Sequence, residues 1–269
     1  MTPELTYDGT RRALLSRRKA MSQPNPFLSS GSGGAAEGGR AVDAGRGWAW
    51  ITEGFELFKV QAGLWIGIVL VLFVIVVALS IIPFLGAIAT ALLMPVFGGG
   101  LMLGCQSLQR DGTLEMGQLF AGFKAHTGPL LTLGALAIVG WIIVVLPVLA
   151  IVGTGAFFGA ARGDAAGIGA IGGSLLLGML VALALSILVY MAFWFAPALV
   201  ALRGVAPVEA IKQSFAGCLR NIVPFLVYGL VVFVLSILAT IPFGLGWLVL
   251  GPVLVTSIYV AYRDIYGDA

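Results

Sequence analysis

Six basic side chains are the groups in this sequence best suited to bind something. Lys59, Lys124 and Arg220 follow the phenylalanines Phe55, Phe120 and Phe215 by four, four and five positions. Arg110, Arg203 and Arg263 close the segments QSLQRDG, VALRGVA and AYRDIYG. Gathered at one surface, these cations would attract the headgroups of anionic lipids or an acidic protein partner. Anchoring by side chains that snorkel to a membrane surface calls for the same residues. A second set is uncharged: Ser80, Thr132, Ser186, Tyr190, Ser236 and Thr240 would supply polar contacts to a small, weakly polar solute in a cavity between helices. Tyr190 and Trp194 suit either such a cavity or packing against neighbours.

Other chemistry is poorly supplied. His126 is the sole histidine, and Cys105 and Cys218 have no metal-ligand spacing. Both cysteines read as small packing residues. The run Pro95-Val-Phe-Gly98-Gly99-Gly100 has no lysine and sits in an apolar stretch, so it does not read as a phosphate loop. Gly100 and Gly104 form instead a small-residue pair that lets two helices approach. General acid–base catalysis needs ionisable groups near the reacting atoms. None occurs in four long runs, Gly63–Gln109, Thr127–Ala161, Ala165–Leu202 and Asn221–Tyr262. We therefore expect no enzyme, metal, cofactor or nucleic-acid partner.

Those same charge-free runs identify what must position the cations. The chain is 59% hydrophobic and 10% charged, against about 25% charged in ordinary soluble domains. A helical span needs roughly 20 apolar residues. Six are predicted, at about 63–83, 87–108, 128–149, 178–202, 222–242 and 245–262. An even number places both termini on one side. All basic residues but Arg162 then share that side, which positive-inside asymmetry marks as cytoplasmic. Trp48, Trp50, Trp65, Tyr262 and Tyr266 would form an aromatic belt there.

The spans repeat. Residues 114–147 and 209–242 align without a gap through Phe120/Phe215, Ala121/Ala216, Gly122/Gly217, Pro129/Pro224 and Pro147/Pro242. Gly54–Pro83 is a third copy with one inserted residue. The expected fold is all-α: six transmembrane helices as three repeated hairpins, in units of about 47–112, 113–205 and 206–267. An interfacial amphipathic helix precedes each hairpin, with apolar faces Ile51/Phe55/Phe58, Met116/Leu119/Phe120/Phe123 and Val208/Ile211/Phe215/Leu219. Each first span is expected to end at its proline, Pro83, Pro147 or Pro242. Pro95, Pro197 and Pro252 are expected to kink the second spans. The Gly/Ala-rich insertion within 148–177 is expected to be an outer loop, with a re-entrant element as the alternative. Residues 1–46 form a disordered, basic, Gly/Ser-rich region; Met1 and Met21 are both candidate starts.

The stretches GWAWITEGFELFK, FAPALVALRGVAPVEAIKQSFAGCLRNIVPFLVYGLV and IPFGLGWLVLGPVLVTSIYVAYRDIYG carry a resemblance. Over residues 45–267 the chain resembles a family of uncharacterised proteobacterial six-span inner-membrane proteins. More distantly its layout is similar to the membrane domain of some glycerophosphodiester phosphodiesterases, without their catalytic domain. The resemblance implies a fold and an inner-membrane location. The function expected is non-enzymatic organisation of lipid or of a partner protein, the candidate partners being anionic lipids, another protein or a second copy. The alternative is a transporter or channel for a small, weakly polar solute.

Overall fold

Apolar runs satisfy their backbone by forming helices, and the computed structural model describes residues 38–267, in which every regular element is a helix. The elements are α1 (Arg46–Val60), α2 (Ala62–Ser80), α3 (Leu85–Asp111), a 3-10 turn (Met116–Phe120), α4 (Gly122–Ala125), α5 (Thr127–Arg162), α6 (Ala165–Phe193), α7 (Ala196–Arg203), α8 (Pro207–Arg220), α9 (Ile222–Thr240) and α10 (Trp247–Tyr266). Among them are six helices long and apolar enough to cross a membrane, with α6 and α7 counted together as one. Most of the predicted N-terminal region, with both candidate starts, lies outside the described residues. Its last part is seated on the bundle. The Arg40 amide donates to the Ile265 carbonyl (2.8 Å), and the Val42 amide to Asn221 Oδ1 (2.8 Å).

A single residue joins a preceding helix to a span at three places. Gln61 (φ −142°, ψ 54°), His126 (φ −142°, ψ 42°) and Asn221 (φ −120°, ψ 33°) share nearly one backbone conformation. Two of these side chains are tied down. Gln61 donates to the Gly112 carbonyl (3.2 Å) and accepts from the Leu114 amide (3.2 Å). Asn221, fully buried, donates to the carbonyls of Arg40 (3.0 Å) and Gly217 (2.8 Å).

The insertion is neither a loop nor re-entrant. It is helical: α5 runs 36 residues to Arg162, and α6 begins at Ala165. The turn between them is Gly163, at φ 65°, and Asp164, whose carboxylate accepts the Gly167 amide (2.8 Å). Glycine is a weak helix former in water, which makes such a stretch read as a loop. Here the small residues interleave. A methyl on Gly159 would lie 2.6 Å from the Gly167 carbonyl oxygen, and one on Gly155 would lie 2.1 Å from Ser174 Cβ. Backbone-to-backbone packing holds the two helices together. Pro147 consequently lies inside α5 rather than ending a span.

Pro95 and Pro252 also lie within unbroken helices, whereas Pro197 accompanies a break. The helix parts at Trp194–Phe195, and Ser214 of α8 enters the gap. The Phe195 amide donates to Ser214 Oγ (2.9 Å), and Ser214 Oγ donates to the Met191 carbonyl (2.8 Å). One hydroxyl thus replaces a helical hydrogen bond at a fully buried position. Ser214→Ala is expected to cost about 1–3 kcal/mol, because both backbone groups lose their partner. Chemical unfolding in detergent measures it; stability equal to wild type would show the bridge to be dispensable.

The segment before α5 differs from expectation too. It is a 3-10 turn and one turn of helix rather than a single amphipathic helix. It lies against the glycines of α3. A methyl on Gly100 would meet the Gln118 carbonyl at 2.6 Å, and one on Gly122 the Val96 carbonyl at 2.1 Å. Gly100 and Gly104 therefore receive an irregular backbone segment, not a second long helix.

Candidate functional site

The first amphipathic helix is sunk into the bundle, with Ile51 and Phe58 of its expected apolar face buried and Phe55 exposed. Its Gly47, Trp50, Ile51, Gly54 and Phe58 are buried, and that face is wedged between α9 and α10. The glycines allow this. A methyl on Gly47 would lie 2.2 Å from the Pro224 carbonyl oxygen, and one on Gly54 would lie 2.7 Å from the Ser257 amide nitrogen. Thr256 Oγ1 donates to the Gly54 carbonyl (2.8 Å), and Tyr228 and Ser257 hydroxyls pair at 2.9 Å beneath. Trp50 packs against Phe225 and Tyr228, with ring centroids 5.3 and 6.1 Å away.

Asp264 is the polar centre of this arrangement. Its Oδ2 accepts from Arg46 Nε (2.5 Å) and Trp50 Nε1 (2.8 Å), and Arg46 also pairs with Glu53 (2.8 Å). Burial disfavours the charge on Arg46, but the bonds to Asp264 and Glu53 more than offset it and raise its pKa. Sequence reasoning missed Asp264. The available signal was Arg46 and Trp50, spaced four apart on one face of α1.

The six cations fall at helix ends, where a positive charge complements the helix dipole. Arg203 and Arg220 are brought to the region of the α10 C-terminus, which carries Arg263. Arg203 donates to the Tyr266 carbonyl and to that of Gly267 (3.2 Å), with its guanidinium 5.7 Å from the Tyr262 ring centroid. Arg220 donates to the Gly39 carbonyl (2.6 Å). Lys59 pairs with Glu56 (2.7 Å) and stands over the Phe55 ring (5.3 Å). It ends α1, which Gln61 ties to Gly112 just beyond Arg110. Lys124 is exposed on α4, two residues before His126, whose ring lies beside Gly204.

The six hydroxyls do not converge. Ser80, Thr132, Ser236 and Thr240 each donate to a carbonyl four residues back in their own helix (2.7, 2.9, 2.7 and 2.8 Å). Ser186 is half-buried on α6, and Tyr190 is exposed with its ring edge-on to Trp141 (5.5 Å). Two described cavities are apolar slots. One, of 320 Å³, lies between α3 and α5; the other, of 490 Å³, lies between α1 and the α9–α10 hairpin. None of the six hydroxyls lines either.

The proposed aromatic belt is largely core: Trp50, Trp65, Tyr262 and Tyr266 are buried, and Trp48 alone of the five is exposed. Trp194 packs edge-on to Phe225 and Tyr228. Both cysteines are buried, and burial pushes the Cys218 thiol up to about 12 despite a hydrogen bond with Ser214. That thiol stays protonated at neutral pH and serves packing.

α8 is three-sided. Ala210, Ser214, Gly217 and Cys218 are buried. Val208 and Leu219 are exposed, with Ile211 and Phe215 half-buried between them. Glu209, Lys212 and Gln213 hold much of the remaining circumference, with Glu209 accepting from Gln213 (3.3 Å). Small residues face the bundle, Ile211 packs partly against it, and Val208 and Leu219 face away.

A protein of Burkholderia thailandensis named a probable inner membrane protein is 29% identical to this chain over 260 residues, covering 84% of this chain and 93% of that protein. No protein-family model and no solved structure matches the chain. These comparisons provide no link to glycerophosphodiester phosphodiesterases.

Proposed function

We propose that the protein is a non-enzymatic, multi-pass protein of the bacterial inner membrane, with both termini cytoplasmic, that organises lipid at its cytoplasmic face. A role in holding an acidic protein partner or a second copy would use the same surface. The observation that carries the reading is the three-sided α8. A helix outside the spans that turns Val208 and Leu219 away from the protein needs an apolar neighbour, and a bilayer surface is one. The adjoining cations at helix ends suit phosphate-bearing headgroups. The six long apolar helices, the distribution of Lys and Arg, and the relative named an inner membrane protein agree with this location. The three matching span junctions support the reading of three related hairpins. A solute cavity has less support, since four of its six candidate hydroxyls donate within their own helices and none of the six lines either described cavity.

The test replaces Lys59, Lys124 and Arg220 together by Gln and measures co-purified phospholipid by mass spectrometry. Each cation near a charged surface contributes about 1 kcal/mol, so the ratio of anionic to zwitterionic lipid is expected to fall on the order of tenfold or more. An unchanged ratio would sink the reading.

A further inference from the structure

The 490 Å³ slot has the form of an amphiphile. Its walls are apolar side chains of α9 and α10, among them Leu235, Val249 and Val253, and polar groups enter only from Thr52 and Glu56 of α1. At one end α9 and α10 touch: a methyl on Gly246 would lie 2.5 Å from Ala239 Cα. Towards the other end α1 holds the two helices apart. Trp48, 56% exposed, stands at the rim where an interfacial indole is favoured. A void between such walls offers water few polar partners, whereas in a bilayer the surrounding solvent is acyl chain.

The headgroup is read from the polar rim. Glu56 and Lys59 form a carboxylate–ammonium pair at 2.7 Å, both largely exposed. That pair is complementary to a headgroup which itself carries a phosphate and a primary ammonium. A headgroup with phosphate as its sole charge would meet Glu56 as a repulsive neighbour. We infer that the cleft between α1, α9 and α10 holds one acyl chain of a zwitterionic, amine-bearing phospholipid, phosphatidylethanolamine, with its ammonium on Glu56 and its phosphate towards Thr52 and Lys59. This site shares Lys59 with the cationic surface proposed above but is built on the apolar cleft and takes a different lipid.

The full-length protein is reconstituted in vesicles of phosphatidylethanolamine and phosphatidylglycerol in equal amounts. A trace of either lipid carries a photoactivatable group on its acyl chain, and crosslinked peptides are mapped. The ethanolamine probe is expected to label residues 48–56 and 235–253 above all other spans, and several-fold more than the glycerol probe. Labelling spread evenly over the spans, or equal labelling of the cleft by both probes, would overturn the inference. Val249→Trp fills the slot and is expected to cut cleft labelling on the order of tenfold, as exclusion of a few methylenes requires. Glu56→Gln, at an exposed position, is expected to abolish the preference between probes while leaving total labelling in place. Preference retained in Glu56→Gln would overturn the headgroup assignment even if the Val249 variant fails to fold. A Lys124→Gln/Arg220→Gln variant leaves Lys59 and the cleft in place, so its loss of anionic lipid reports on the other surface and the two readings fail separately.

Discussion

A leucine at Gly54 is expected to unseat α1 from the bundle. The added Cβ would stand 2.7 Å from the Ser257 amide nitrogen and 2.8 Å from Ser257 Cα. Both atoms belong to the backbone of α10, which has no rotamer to change. Overpacking against side chains costs about 1–3 kcal/mol. Here the helix must also retreat far enough to break the buried bond from Thr256 to the Gly54 carbonyl, at about 1–3 kcal/mol more. A total near 4 kcal/mol is a large fraction of the stability of an ordinary domain. Limited proteolysis at Arg46 and Lys59, with a red shift of Trp50 emission, would report release of the helix. Gly229→Leu is the control: it lies within α9, and a methyl there meets nothing within 4 Å. Equal stability of the two variants would mean that the α1–α10 contact is not close in solution.

The second large effect is expected from Asp264→Ala. Truncation leaves the Arg46 guanidinium with Glu53 alone and the Trp50 indole N–H without its acceptor. Removing one partner of a fully buried pair costs about 3–5 kcal/mol. Asp264 and Arg46 retain 19% and 32% side-chain exposure, so solvent screens part of this, and about 2–3 kcal/mol is expected. Asp264→Asn should fall between, since its amide oxygen can still accept from the indole. A double-mutant cycle with Arg46→Ala isolates the pair. A loss no greater than that of Glu53→Ala would show that the carboxylate does not hold α1.

Span number and most span positions were legible because hydropathy is local: each run of Leu, Val and Ile declares itself without reference to a partner. The insertion was not. Gly155, Gly159 and Gly167 look like loop formers until the opposing helix is known to stand close enough for a methyl to be excluded. The Met116–Phe123 segment misled in the same way, since its apolar spacing fits a helix. Its conformation accompanies close contacts with Gly100 and Val96, which periodicity does not record. At the candidate site, the cations were identified by charge and position, but their settings depend on distant residues. Arg220 meets Gly39 across 181 positions, and Asp264 meets Arg46 across 218. Ser214 reads as an ordinary polar residue on an amphipathic helix until Pro197 is seen to leave a gap in front of it.

The seat of α1 has a consequence for biosynthesis. Gly54 and Thr256 are 202 residues apart, and bacterial synthesis proceeds at about 5–20 residues per second. The first described helix therefore waits roughly 10–40 s for the last span to be made. During that interval Gly47 and Trp50 can meet α9 once it is made, but Gly54 has no native partner until α10 follows. A chain released before Trp247 would carry five of the six spans and leave α1 held by α9 alone, so that a defect at the C-terminal end loosens the opposite end of the polypeptide.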